Sequence, residues 1–211
     1  MSTAKEILEV IKGSVKGKRT SGKMGKSYLQ PTIAAALRTA GFNADEEDTA
    51  KLLPPRMPVW RSKDNHEVEE TIVRRRVDIV VYKDGQLAAM IEAESSLGDL
   101  RVSGVSRRNG HYDVESIAKN ADGGYFDSYK SLERMATAAF SWSIFCKTGA
   151  HPSPHQAQAL LEAVRSDDTK LHNPANVPLF LVSGLCRKID ETILSRRIKS
   201  LSATLVCVSD A

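Results

Sequence analysis

The stretch RRRVDIVVYKDGQLAAMIEAESS, residues 74–96, decides the fold of this chain. It contains two runs rich in apolar and β-branched residues, VDIVVY and LAAMIEAE, separated by KDGQ. An Asp-Gly pair between two such runs is among the better short-range signals for a hairpin. We therefore predict an antiparallel β-hairpin here.

Side chains along a strand alternate between two faces, and this hairpin separates its residues by parity. The odd positions are apolar: Val77, Ile79, Val81, Leu87, Ala89, Ile91 and Ala93. The even positions carry Asp78, Tyr82, Glu92 and Glu94. Both strands keep this parity only if the loop has an odd number of residues, which Lys83-Asp84-Gly85 supplies as a type I turn with Gly85 left-handed. We expect one face to be core and the other to carry the three acids.

Helical patterns precede the hairpin. A short amphipathic helix is predicted from about Thr3 to Ile11. A stronger one over residues 26–42 has Leu29, Ile33 and Leu37 at a spacing of four and Gly41 as its stop. The prolines and polar residues of 43–65 indicate loop and edge structure, and residues 67–72 a turn or short helix.

Strands and helices alternate after the hairpin. The polar segment 97–125 predicts a long functional loop or a small insertion. Helical patterns follow in residues 126–145, 151–168 and 189–200, with Ser153 as a cap of the second. Strands are predicted in 177–184 and 202–209. The whole chain, residues 1–211, is predicted to be one α/β domain with a mixed central sheet and helices on both faces.

Composition limits the class of protein. The chain has 211 residues, 41% of them hydrophobic and 27% charged, as in a globular domain. No apolar run approaches the roughly 18 residues that cross a bilayer, so we expect no membrane partner. Lys5, Glu6 and Glu9 interrupt any signal-peptide core, so we expect a cytoplasmic protein. The three cysteines are an odd number in apolar contexts, and we expect them to be reduced and buried.

Basic residues are clustered although the net charge is only +4. The Gly-rich segment 12–26 contains no acid and includes Lys18, Arg19, Lys23 and Lys26. A second cluster contains Arg101, Arg107, Arg108 and Asn109, and a third is the Arg triplet at 74–76. One such run is usually a solvated face, but three in a small protein favour binding to nucleic acid phosphates.

Three carboxylates on one side of a hairpin repel one another unless a cation lies among them. Oxygen ligands of this kind select Mg²⁺, Mn²⁺ or Ca²⁺. A divalent ion there would polarise a phosphoryl oxygen and lower the pKa of a bound water, as phosphodiester hydrolysis requires. The alternative is that Asp78, Glu92 and Glu94 are ordinary solvent-facing strand acids.

Val77-Asp78, thirteen intervening residues and then Glu92-Ala93-Glu94 resembles the PD-(D/E)xK nuclease superfamily, which includes type II restriction endonucleases. The resemblance implies a restriction-endonuclease-like fold in which Asp78 and Glu92 bind Mg²⁺, with Mn²⁺ able to substitute. Glu94 stands at the family's lysine position, as in a minority of restriction enzymes ending in Glu-x-Glu. There it would act as a general base or a further metal ligand.

The family often places one more acid on the leading helix. In this chain the matching turn offers Gln30, whose amide oxygen accepts hydrogen bonds but cannot neutralise charge. Glu69 and Glu70, just before the first strand of the hairpin, are substitutes. An ordinary exposed helix residue is the alternative for Gln30.

The function expected from this resemblance is cleavage of double-stranded DNA by a type II restriction endonuclease. The segment 97–125 offers Arg107, Arg108 and Asn109 for base edges, or for phosphate contact alone. A palindromic target would imply a homodimer, and a cognate DNA methyltransferase would belong to the same system. The alternatives are a Holliday-junction resolvase or repair nuclease, and a non-catalytic DNA-binding module that retains the fold.

Overall fold

A computed structural model of the protein describes most of the predicted core. The described residues are 2–17, 26–46, 57–61, 69–73, 77–97, 125–150, 152–153, 156, 159, 172–186 and 198–208. Their helices are α1 (Thr3–Val15), α2 (Lys26–Thr39) and α3 (Tyr125–Thr148). Their strands are β1 (Asn43–Glu46), β2 (Met57–Arg61), β3 (Glu69–Val73), β4 (Ile79–Lys83), β5 (Gln86–Leu97), β6 (Leu179–Cys186) and β7 (Thr204–Cys207).

Five strands form a mixed open sheet in the order β1-β4-β5-β6-β7. The predicted hairpin is confirmed, since β4 and β5 pair antiparallel. β1 adds to β4 antiparallel at one edge, whereas β6 and β7 add in parallel on the other side of β5. β2 and β3 form a separate two-stranded antiparallel sheet. The general α/β class with a mixed sheet is therefore as predicted.

Helices cover both faces of the five-stranded sheet. One core cluster joins α1 and α2 to the odd positions of the hairpin, Ile79, Val81, Ala89, Ile91 and Ala93. The other cluster joins α3, Ile198 and Leu201 to Val80, Tyr82 and Met90. The expectation of a single core face is therefore wrong. The face that carries Glu92 and Glu94 is buried because α3 packs against it. The parallel strands β6 and β7 continue the sheet beyond β5, so the hairpin is not at that edge.

The hairpin turn differs from the predicted three-residue loop. Asp84 and Gly85 both have positive φ, 51° and 74°, as in a two-residue type I′ turn. The register then changes from Tyr82 opposite Leu87 to Val81 opposite Ala89, so Ala88 is an extra residue in a β-bulge. The extra residue that parity requires therefore lies within β5 and not in the loop.

The bulge also changes which residues face each core. Ala88 packs with Ala89 against the α1 and α2 cluster, whereas Leu87 packs against the α3 cluster. Val77, which precedes β4, also belongs to the α3 cluster. The predicted facing of Leu87 and Val77 is therefore wrong. The other predicted core residues lie together on the α1 and α2 face, namely Ile79, Val81, Ala89, Ile91 and Ala93.

Helix boundaries follow the predicted caps. Beyond α2, Gly41 has φ 89°, its N–H bonds to Arg38 O, and the Phe42 N–H bonds to Leu37 O, as in a Schellman motif. Ser153 and Gln156 exchange side chain to backbone hydrogen bonds of 2.9 and 3.3 Å, as in a capping box. Both predicted helix signals are thus confirmed at these residues.

Two expectations outside the hairpin are wrong. Residues 69–73 form strand β3 and not a turn or helix, because the β-branched run Thr-Ile-Val pairs with β2. Cys207 is disulfide-bonded, and Cys146 is free but exposed. An odd number of cysteines excludes complete pairing but still permits one bond.

None of the helices in the described part of the chain combines the length and the apolar character needed to span a membrane.

The two-sided burial of the hairpin predicts that Ile79→Asp unfolds the protein. Ile79 is fully buried against the α1 and α2 cluster, so a carboxylate there would lose its hydration without a partner. We expect a loss of about 4 kcal/mol or more in the free energy of unfolding, measured by urea denaturation. Thr204→Asp, at an exposed position on β7, is the control and should change it by about 0.5 kcal/mol or less. An Ile79→Asp protein with the parent's unfolding midpoint would contradict the burial of Ile79 in the α1 and α2 cluster.

Candidate functional site

Asp78 lies where the ladder between β4 and β5 ends. Its side chain is fully buried, and its Oδ2 accepts a hydrogen bond of 2.9 Å from the Ala93 N–H. In a regular ladder that N–H would bond to a carbonyl of the neighbouring strand. The carboxylate takes the place of that carbonyl, which fixes the side chain against the middle of β5.

Gln30 holds the backbone of the same residue from the other side. Its Nε2 donates a hydrogen bond of 3.1 Å to the carbonyl oxygen of Asp78, and only 8% of the residue is exposed. Gln30, which the sequence offers at the place of the family's helix acid, therefore contacts the backbone of Asp78. The contact is through its amide nitrogen to backbone, so Gln30 anchors Asp78, and the expectation of an exposed residue is excluded.

Glu92 is the second fully buried acid of the hairpin. The last registered pair is Ile79 opposite Ile91, and extending this register by one residue places Asp78 opposite Glu92. Glu92 then lies on the α3 face, between Met90 of the α3 cluster and Glu94, which contacts Ser131 of α3. The Asp78 carboxylate is directed at the Ala93 N–H of β5. Buried carboxylates need protons, hydrogen-bond donors or cations to offset the loss of hydration, so two of them at adjacent positions mark this end of the hairpin as unusual.

Glu94 lies two residues further along β5, on the same face, and is only partly buried. Its Oε1 accepts a hydrogen bond from the hydroxyl of Ser131 on α3, whose side chain is fully buried. Ser183 of β6 is opposite Glu94 in the parallel register and is also fully buried. Polar side chains therefore form a strip at this end of the hairpin, next to the apolar α3 cluster. Its members are Asp78, Glu92, Glu94, Ser131 and Ser183.

Ser131 and Ser183 were not among the residues predicted from the sequence. Ser131 is 37 residues from Glu94, so neither spacing nor motif relates the two. The available signal was weak: each serine interrupts an apolar run or helix face, Leu179–Val182 on β6 and the Leu132, Met135 and Ala138 face of α3.

The donor set of the strip suits a hard cation. Among the described residues, no group of three or more His, Cys, Asp or Glu side chains is arranged to hold a metal ion. The available set is therefore the pair Asp78 and Glu92. Mg²⁺ is commonly held by one or two carboxylates, with water and substrate phosphates as its other ligands. The pair fits that ion, and does not form an all-protein cage of the kind typical of Ca²⁺ sites.

The other predicted site residues lie elsewhere or outside the described residues. Glu70 belongs to β3, where its backbone is opposite Trp60. Lys26 begins α2. The predicted DNA-binding residues Lys18, Arg19, Lys23, Arg101, Arg107, Arg108 and Asn109 lie outside the described residues, as does most of the segment 97–125.

A surface groove at the opposite end of the hairpin is separate from this strip. Its lining includes Asp45, Tyr82, Asp84, Trp142 and Phe145. Six residues of extended strand, or about 20 Å, separate Gln86 beside the turn from Glu92. The groove is therefore not part of the carboxylate site.

Comparison with protein-family models, with curated proteins and with solved structures finds no match to this chain. The resemblance to the PD-(D/E)xK superfamily therefore remains a prediction, carried by the spacing of Asp78, Glu92 and Glu94.

The anchoring contact of Gln30 predicts that Gln30→Glu is destabilising, although it supplies the acid that the family often has on this helix. The change replaces the Nε2 donor by an oxygen, which leaves the buried Asp78 carbonyl without its donor and beside a negative charge. We expect the free energy of unfolding to fall by about 1 to 3 kcal/mol. Urea denaturation measures this, with Ala35→Glu at an exposed position of α2 as the control for added charge. A Gln30→Glu protein as stable as the parent would show that the position accepts an acid and that the anchor is dispensable.

Proposed function

We propose that this protein is a divalent-metal-dependent endonuclease that hydrolyses phosphodiester bonds in double-stranded DNA, with a sequence-specific type II restriction enzyme as the leading subtype. The observation that supports it best is the buried pair Asp78 and Glu92 on adjacent strands, with Asp78 anchored through its side chain and its backbone. A pair of carboxylates fixed in this way is suited to hold a metal against a phosphate.

The proposed mechanism assigns one role to each acid. Asp78 and Glu92 would hold Mg²⁺, and Mn²⁺ could replace it. When bound, the ion would polarise a phosphoryl oxygen and stabilise the charge that develops in the transition state. Glu94 would accept one proton from the attacking water as the water oxygen bonds to phosphorus and the bond to the leaving oxygen breaks. The leaving oxygen would take a proton from solvent.

The burial of the three acids indicates the side from which the proposed site is open to solvent. Asp78 and Glu92 are inaccessible to solvent, whereas Glu94, on the same face, is partly exposed. Water and a phosphate would therefore approach from the side of Glu94, and Asp78 and Glu92 are the residues that would hold the metal. An acid at the open side of the site is the position that a general base for an incoming water requires.

Contacts to DNA are proposed from the sequence alone. The basic segment 12–26 would contact phosphates, and Arg107, Arg108 and Asn109 would read base edges. Homodimer formation and a partner methyltransferase belong to the restriction-enzyme subtype and not to the chemistry of the site. A junction resolvase or repair nuclease would use the same three acids, and its preference for branched or damaged DNA would separate it from a restriction enzyme.

The proposal predicts that Asp78→Asn and Glu92→Gln each lower Mg²⁺-dependent cleavage by at least about 100-fold, because each removes a charged metal ligand. The two amides preserve shape, and the amide introduced by Asp78→Asn keeps an oxygen that can accept the Ala93 N–H. We therefore expect the free energy of unfolding to stay within about 1 kcal/mol of the parent or to rise. The assay is incubation of plasmid or phage DNA with Mg²⁺, followed by gel electrophoresis.

Asp45→Asn is the matched control, since Asp45 is a partly exposed acid on β1 of the same sheet and should tolerate the change. Discrete bands from the parent indicate a restriction enzyme, a smear indicates a nonspecific nuclease, and retarded intact DNA indicates binding alone. Either amide variant cutting at the parent's rate would show that the pair does not hold the catalytic metal.

A further inference from the structure

We infer that Ser131 is a positioning residue for Glu94 in the cleavage reaction, an inference that rests on the proposed function. The observation is the hydrogen bond from the Ser131 hydroxyl to Glu94 Oε1, which joins α3 to β5. A carboxylate is planar, so fixing one oxygen restricts the position of the other. Ser131 thereby sets the direction in which Glu94 presents its basic oxygen.

The Ser131 side chain is fully buried on α3. The buried residues of α3 include Leu132, Met135 and Ala138 of the core cluster. They also include the hydroxyl side chains of Ser131, Thr137, Ser141 and Ser143. Alanine has a higher helix propensity than serine, and a buried hydroxyl is unfavourable unless it is hydrogen-bonded. If α3 only covered the sheet, alanine would serve better at position 131. The contact with Glu94 gives the hydroxyl a use that alanine could not supply.

A second serine on α3, Ser141, is buried without contacting Glu94, so burial of a serine on this helix does not by itself indicate a role in the site. Ser141 is also fully buried, yet its hydroxyl has no hydrogen-bond partner among the described residues. It lies ten residues from Ser131, or about 15 Å along α3. The two serines share residue type, helix and burial, and differ in the contact with Glu94.

Glu94 benefits from such a contact because it is the least buried of the three acids. Asp78 is held by a backbone N–H and by Gln30, whereas Glu94 projects from β5 at the partly exposed side of the site. A long flexible side chain there samples several rotamers, and a positioned base is effective only in one geometry. One hydrogen bond from a rigid helix reduces that freedom.

The test is a kinetic double-mutant cycle with the full-length protein, Mg²⁺ and plasmid DNA. Ser131→Ala should lower kcat by about 10 to 100-fold with KM for DNA little changed, the usual range for residues that orient a catalytic group. Ser131→Thr keeps a hydroxyl and should recover most of the loss. In the Glu94→Gln background, Ser131→Ala should lower kcat by less than about threefold, because its effect passes through Glu94.

Ser141→Ala is the control and should leave kcat unchanged. Urea denaturation of each variant establishes that the kinetics are measured on folded protein. If Ser131 had a purely structural role, Ser131→Ala would lower the free energy of unfolding and leave the kcat of the folded protein unchanged.

The outcomes separate this inference from the proposed function. Suppose that the parent protein cleaves DNA. If Ser131→Ala then has the parent's kcat, or if the effects of Ser131→Ala and Glu94→Gln on kcat are fully additive, the inference is overturned and the nuclease proposal stays in place. A parent protein that does not cleave DNA with Mg²⁺ or Mn²⁺ overturns the proposed function and this inference with it.

Discussion

The hydrogen bond from the Ala93 N–H to Asp78 Oδ2 is the contact on which the candidate site depends. It closes the end of the hairpin ladder with a side chain instead of a carbonyl, and so brings a carboxylate into the sheet at the level of Glu92. Gln30 completes the arrangement by satisfying the Asp78 carbonyl from α2. Asp78 is thus held by the same contacts that end β4 and fasten α2 to the sheet, so the fold itself positions this acid.

The rest of the strip follows from the position of β5. β5 is paired on both edges, with β4 and β6, and helices cover both of its faces. Beyond the bulge, its even positions from Met90 to Glu94 point to α3. An acid at such a position must either find partners on the covering helix or lie near an opening. Glu94 meets both conditions, since it accepts the Ser131 hydroxyl and remains partly exposed. Solvent exposure increases from the fully buried Asp78 and Glu92 to the partly exposed Glu94, so the strip opens to solvent at Glu94.

The local signals in the sequence predicted the hairpin, the helix signals at Gly41 and Ser153, and the common face of Glu92 and Glu94. They did not predict that this face is buried, because the covering helix is distant in sequence and its contacts are tertiary. The alternation of apolar and polar residues on both strands requires one extra residue in the hairpin, and this residue is Ala88. A two-residue type I′ turn matches the twist of the strands, so the extra residue enters as a bulge instead. The role of Ser131 could not be predicted for the same reason, because it depends on a tertiary contact with Glu94.

Direct measurement of Mn²⁺ binding tests the central claim, that Asp78 and Glu92 together hold a divalent cation. Electron paramagnetic resonance of free Mn²⁺, titrated with purified protein at millimolar metal, reports the bound fraction without relying on catalysis. The account predicts saturable binding by the parent protein and its loss in a variant carrying both Asp78→Asn and Glu92→Gln, with Asp45→Asn binding as the parent does. Absence of binding by the parent, or equal binding by the double variant, would contradict it.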